Sequence, residues 1–90
     1  MSTDIAAYPW AAHAHHMGHL QRAEIRWEVY LEIVPDADKR TVRGRIHFVA
    51  GDRHRESAWV FLEFAERDVR ERFNEFSAVE LWSLLESLGP

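Results

Sequence analysis

Ala58-Trp59-Val60-Phe61-Leu62-Glu63-Phe64, residues 58–64, is the stretch on which the reading of the fold turns. It is almost unbroken in apolar character, rich in aromatic residues, and bounded by a charged segment before it and a helix start after it. Such a run reads as a strand covered on both faces. A buried helix segment is the competing reading, but the run is short for one. If Ala58, Val60, Leu62 and Phe64 point to the core, then Trp59, Phe61 and Glu63 point outward. The opposite choice buries the Glu63 carboxylate, so the first is preferred.

Upstream, the hydrophobic period is two. Ile25, Trp27, Val29, Leu31 and Ile33 alternate with Glu24, Arg26, Glu28, Tyr30 and Glu32, the pattern of a half-buried strand. Residues 35–40, Pro-Asp-Ala-Asp-Lys-Arg, carry turn chemistry. A second strand follows over residues 41–50, with Val42, Gly44, Ile46, Phe48 and Ala50 on one side. Folding the two as a hairpin with Val34 near Thr41 sets Leu31 opposite Gly44, Val29 opposite Ile46 and Trp27 opposite Phe48. The other face then pairs Glu32 with Arg43 and Glu28 with His47. Residues 51–56, Gly-Asp-Arg-His-Arg-Glu, read as a second turn leading into the run at 58–64.

Downstream, Glu66-Arg67-Asp68-Val69 starts a helix with acidic residues at the positive end of its dipole. Val69, Phe73 and Phe76 are spaced to share one face. The chain restarts at Ser77-Ala78-Val79-Glu80, a capping box, and a second helix presents Leu81, Trp82, Leu84, Leu85 and Leu88 until Gly89-Pro90 ends it. The expected fold is therefore α+β: a three-stranded antiparallel meander followed by two C-terminal helices packed on one face. Residues 21–90 form that single domain, and residues 1–20 form a His-rich N-terminal arm without a strand pattern. Within the arm, Pro9 keeps Tyr8 extended, and residues 11–16 suit a turn or two of helix.

The chain has 90 residues, 47% hydrophobic and 29% charged, which is the composition of one folded domain rather than a disordered segment. Four Trp, five Phe and two Tyr supply large buried areas that offset the small size. The absence of Cys removes disulfides and thiolate metal sites. A net charge of −4 argues against a general nucleic-acid binder. No apolar stretch has the length of a membrane span, and the start lacks the pattern of a signal peptide. The expectation is a cytoplasmic protein without a membrane partner.

Candidate chemistry is sparse. The segment His13-Ala14-His15-His16-Met17-Gly18-His19 holds four of the six histidines. On a helix, His15, His16 and His19 would converge and hold zinc or nickel weakly through imidazole nitrogen. No other cofactor is implied. The outer sheet face interleaves Arg43 and Arg45 with Tyr30, Trp59 and Phe61. Basic and aromatic residues so mixed can hold single-stranded nucleic acid, but Glu24, Glu28, Glu32 and Glu63 lie among them and cancel the field. A balanced face with an aromatic centre better suits protein contact, and Tyr30, Trp59 and Phe61 are expected to be covered by a second subunit, by the Tyr8-Pro9-Trp10 arm, or by both. Catalysis has least support: no Cys nucleophile, no glycine-rich phosphate loop and no Ser-His-Asp pattern is present. Asp36 and Asp38 sit in a turn, where Asp is expected for local bonds, and His47 opposite Glu28 reads more simply as a cross-strand pair than as a general base. The expected function is that of a small non-catalytic regulatory, adaptor or assembly protein, a homodimer or the partner of another protein. A His-rich metal- or pH-responsive protein is the first alternative, and a single-stranded nucleic-acid binder the second.

Overall fold

A computed structural model describes residues 4–37 and 39–89. Its architecture is α+β, an antiparallel sheet with two C-terminal helices on one face and an N-terminal arm. The arm ends in a 3₁₀ turn, Pro9–His13. The strands are β1 (Ala14–Arg22), β2 (Ile25–Pro35), β3 (Val42–Ala50), β4 (Arg53–Glu56) and β5 (Phe61–Glu63); the helices are α1 (Glu66–Asn74) and α2 (Ala78–Ser87). β1, β2 and β3 lie side by side, and both β4 and β5 pair with the far edge of β3.

The sheet thus has two strands beyond the expected meander. The first is β1, which takes up residues 14–20 of the expected arm. Its alternation is hidden by an irregularity between His16 and Gly18, where Met17 is left unpaired and Gly18 adopts φ 140°. Its hairpin to β2 closes through Ala23-Glu24, with Ala23 at φ 55°, so the usual glycine signal is missing. The second is β4. The turn before it is only Gly51-Asp52, and the charged residues that follow pair with β3. Arg53 and Arg55 lay their guanidinium groups over the Trp27 ring at 5.2 and 5.0 Å, so a polar segment covers an aromatic core residue.

The β2–β3 hairpin keeps the expected faces, but its register differs by two residues. Leu31 pairs with Ile46, Val29 with Phe48, Glu32 with Arg45 and Tyr30 with His47. Pairing continues to Pro35 opposite Val42, and the loop closes on a bond from Asp36 N–H to the Thr41 carbonyl at 2.9 Å. A slip of two leaves each side chain on its own face, so periodicity is blind to it. Asp38, the other carboxylate of that turn, lies outside the described residues, as do Met1–Thr3 and Pro90.

The run at 58–64 is not one strand. Ser57 ends β4: its N–H donates to the Ile46 carbonyl and its Oγ accepts from Ile46 N–H, both at 2.9 Å, so a side chain stands in for a ladder bond. The chain leaves the sheet over Ala58–Val60 and rejoins it for Phe61–Glu63. The faces are the reverse of those expected. Phe61 is buried opposite Gly44, whereas Val60, Leu62 and Phe64 are exposed. The objection to this facing was the Glu63 carboxylate. It sits at the sheet margin instead, 3.2 Å from Arg72 Nε, and is not sealed in the core.

The core gathers Leu20, Trp27, Val29, Leu31, Ile33, Ile46, Phe48 and Phe61 from the sheet, against Val69 and Phe73 of α1 and Leu81 and Leu85 of α2. Gly44 lets α1 approach: a Cβ there would lie 2.7 Å from Val69 Cγ1. The break between helices falls at Ser77. Its Oγ accepts from Glu80 N–H at 3.1 Å, and the Glu80 carboxylate accepts from Ser77 N–H at 2.9 Å, the expected capping box. No helix among the described residues is long and apolar enough to cross a membrane.

Candidate functional site

The helices cover one sheet face, and the outer face carries the polar chemistry. At its centre, Glu32 on β2, Arg45 and His47 on β3, and His54 and Glu56 on β4 form a chain across three strands. Glu32 Oε1 accepts from Arg45 Nε and from His47 Nε2, each at 2.7 Å. His47 Nδ1 lies 2.8 Å from His54 Nε2. Arg45 Nη1 reaches the Glu56 carboxylate at 2.6 Å. His47 is 0% exposed because the arm lies over it: the Trp10 ring stacks on the imidazole at 3.8 Å and 11°. Trp10 also contacts Tyr30 at 5.7 Å and His54 at 5.3 Å, and Tyr8 stacks on Trp10 and meets His54 at a tilt of 46°. Trp10, Tyr30 and Val49 make a small second core on this face. Beside them opens a cleft of about 430 Å³ lined by Tyr8, Pro9, Trp10, Glu32, Arg45, His54 and Glu56.

The electrostatics follow from burial and partners. Burial alone would raise the Glu32 carboxyl, but the Arg45 and His47 bonds outweigh it and hold it below the usual range. Burial lowers His47 below its ordinary value despite the Glu32 bond, and burial likewise lowers His54 against the opposing pull of Glu56, with Arg45 adding to the lowering. Both rings are therefore neutral near pH 7. With Glu32 ionised, His47 carries its hydrogen on Nε2, and His54 must then donate from Nε2 to His47 Nδ1.

The candidate residues from the sequence are dispersed by this arrangement. Tyr30 lies under Trp10 and is closed off. Phe61 is in the opposite core. Trp59 is on the outer face, with the Arg43 and Arg45 guanidinium groups over its ring at 4.3 and 4.2 Å. Arg45 is also held by the Glu32 and Glu56 carboxylates, whereas Arg43 Nε is buried without a hydrogen-bond partner among the described residues. His15, His16 and His19 stand on a strand rather than a helix, so the expected convergence does not form. His15 contacts Glu66 and Arg70 of α1, whereas His16 bonds Glu28 on the outer face at 2.7 Å. Among the described residues no three His, Cys, Asp or Glu side chains are grouped to hold a metal ion. Glu28, expected opposite His47, instead bonds His16 and Arg26, because of the two-residue difference in register.

Glu32, His54 and Glu56 were not singled out from the sequence, whereas the Tyr8-Pro9-Trp10 arm was expected as one cover for the outer face, and Trp10 does lie on Tyr30. Glu32 and His47 alternate as solvent-facing residues should, and nothing local to them reveals that Trp10 would close over that face. The Tyr8-Pro9-Trp10 cluster pointed to the arm as a cover, but not to the polar residues it would close over.

A second feature lies at the free edge of β5. Val60, Leu62 and Phe64 are 50%, 58% and 82% exposed. A groove of about 470 Å³ runs between this edge and the helices, lined by Val60 to Glu63, Arg72, Glu75, Phe76 and Glu80. Because Ile46 bonds toward Ser57, the peptide groups of Gly44 and Val42 point the same way, to Phe61 and Glu63. The Leu62 N–H and C=O then point outward from the sheet.

No protein-family model, no curated protein and no solved structure matches this chain. Fold and site together describe a small α+β domain with a closed polar outer face and an open apolar edge.

Proposed function

We propose that this chain is a small non-catalytic assembly or adaptor protein that acts through the outer face at β5, and that its first partner is a second copy of itself. The observation that supports this is the exposed row Val60, Leu62 and Phe64, with Leu62 on β5 and the other two just beyond its ends, at an edge that still offers the peptide groups of Leu62. Such an edge is a template for strand pairing. The row is also complementary to itself. An antiparallel twofold centred on Leu62 sets Leu62 against Leu62 of the second copy, and Val60 against Phe64, so apolar meets apolar along the whole outer row. Centring the axis one residue on would oppose two Glu63 carboxylates, a repulsive pairing.

Sedimentation equilibrium tests this. The wild-type chain is expected to be a dimer at micromolar concentration, and Leu62→Glu a folded monomer, because Leu62 contributes little to the core. A wild-type monomer at high micromolar concentration, or a Leu62→Glu chain that remains dimeric, overturns the reading.

A further inference from the structure

We propose that the arm, residues 4–13, is a proton-released latch: uptake of one proton by the Glu32–His47–His54 chain detaches Trp10 and bares Tyr30, His47 and Val49. The latch goes beyond the edge pairing at β5 and does not depend on it.

The way the arm is held supports this. Among the described residues, the hydrogen bonds of residues 4–13 stay within the arm or its junction with β1: Ala6 to Asp4, Tyr8 to Ile5, Ala11 to Tyr8 and Ala14 to Ala11. Its hold on the sheet is ring stacking and apolar contact, centred on Trp10 at 7% exposure. The Trp10 Nε1–H is buried with no hydrogen-bond partner among the described residues. Lifting the arm returns that donor to water, so the docked state carries a penalty that the released state lacks.

The rings beneath supply the trigger. In the neutral state, described above, His47 Nδ1 and His54 Nε2 share one hydrogen, and His54 Nδ1 is the position left to take another. A proton added there lets the shared hydrogen move to His47 Nδ1, leaving His54 neutral and His47 an imidazolium. The charge then lies in a 0% exposed ring under Trp10. Its surroundings do not solvate it well. Glu32 is the one carboxylate bonded to it; Glu32 and Glu56 share the single charge of Arg45, and the negative charge left over favours protonation, but burial outweighs it. From the remaining elements, Tyr30 on β2 and Tyr8 on the arm present aromatic rings, His16 on β1 is bonded to the Glu28 carboxylate, and Asp4 stands nearer Tyr30. An indole face attracts a cation, but desolvation dominates here, and it is why both rings are held below 6.5. Whatever removes Trp10 gives both rings water and restores their basicity. By linkage, protonation must favour release by the same factor.

Imidazole and indole nitrogen–proton NMR spectra of the full chain, followed from about pH 8 to about pH 5, test the latch. In the wild type, protonation of the His47–His54 pair and movement of the Trp10 indole signal to its solvated position are expected in one step, with loss of amide protection in residues 4–13. Trp10→Ala should shift the His47 titration upward toward the ordinary value, and His54→Gln should move arm release to lower pH. The proposal is overturned if Trp10 stays docked while the rings protonate, if His47 titrates identically in Trp10→Ala, or if the arm detaches at unchanged pH in His54→Gln. Should His54→Gln not fold, the Trp10→Ala titration decides, since Trp10 lies outside the main core.

Discussion

Gly44→Ala tests the packing on which both sheet faces depend. The new Cβ would stand 2.7 Å from Val69 Cγ1 and 3.4 Å from both the Phe61 ring and the Glu32 carbonyl. Ordinary carbon–carbon contact is about 3.5–4.0 Å, so β3 and α1 must separate by about 1 Å. Val69 is fully buried and β-branched, with little rotamer freedom to yield. Overpacking of this kind costs about 1–3 kcal/mol. For a domain of this size the melting temperature should fall by roughly 5–20 °C, read from the far-ultraviolet circular dichroism. Val69→Ala removes the clashing methyl and alone costs about 1.5–3 kcal/mol. If the close contact is the cause, the double variant is less destabilised than the sum of the singles by about 1 kcal/mol or more. Strict additivity would refute the argument, because the Gly44 effect would then arise from the strand backbone and not from α1.

Ser77→Ala should lower stability by about 1 kcal/mol, seen as a lower urea midpoint at unchanged slope, since the capping hydroxyl is lost while the surface is unaltered. An unchanged midpoint would show that the helix break does not rely on the cap. Acid should weaken the fold through Glu28 and Glu32. Burial raises each, but partners outweigh it (His16 and Arg26 for Glu28; Arg45 and His47 for Glu32), so both lie below 4.5 in the folded chain. Their contribution is present above the unfolded value and lost as pH falls from about 4.5 through the folded values. Glu32→Gln should flatten that part of the melting temperature against pH profile, and an unaltered profile would count against the pairing.

The helices were legible because their signals are local. Ser77 and Glu80 are three residues apart, and the cap they form is decided by those two side chains. β2 and β3 were legible as strands because one row of each is apolar along its length, from Ile25 to Ile33 and from Val42 to Ala50, so alternation survives. β1 was not, since Met17 is left out of the pairing and the residues on either side of it fall out of step. β4 was hidden for a different reason. Arg53 and Arg55 are polar by composition, yet they lay their guanidinium groups over the Trp27 ring. A pattern of hydrophobic letters has no place for a residue that is apolar along its length and charged at its tip.

The outer face shows where alternation stops carrying information. Tyr30, Glu32, Arg45 and His47 occupy solvent-side positions, and a sheet backed by helices on one face would leave them wet. Exposed, the Glu32–Arg45 pair would contribute little. Covered by Trp10, the same groups must satisfy one another or cost several kcal/mol, on the order of the penalty for an unpaired buried charge. That requirement explains why Glu32 Oε1 takes two donors and why His47 uses both ring nitrogens. It also bears on register. The slipped hairpin would still pair Glu32 with an arginine, but it would carry Tyr30 away from His47 and part the two surfaces on which Trp10 rests. Core periodicity cannot choose between the two registers; a tight closing loop at Asp36 and Thr41, Gly44 beneath Val69, and one aromatic arm over a polar chain all favour the observed one.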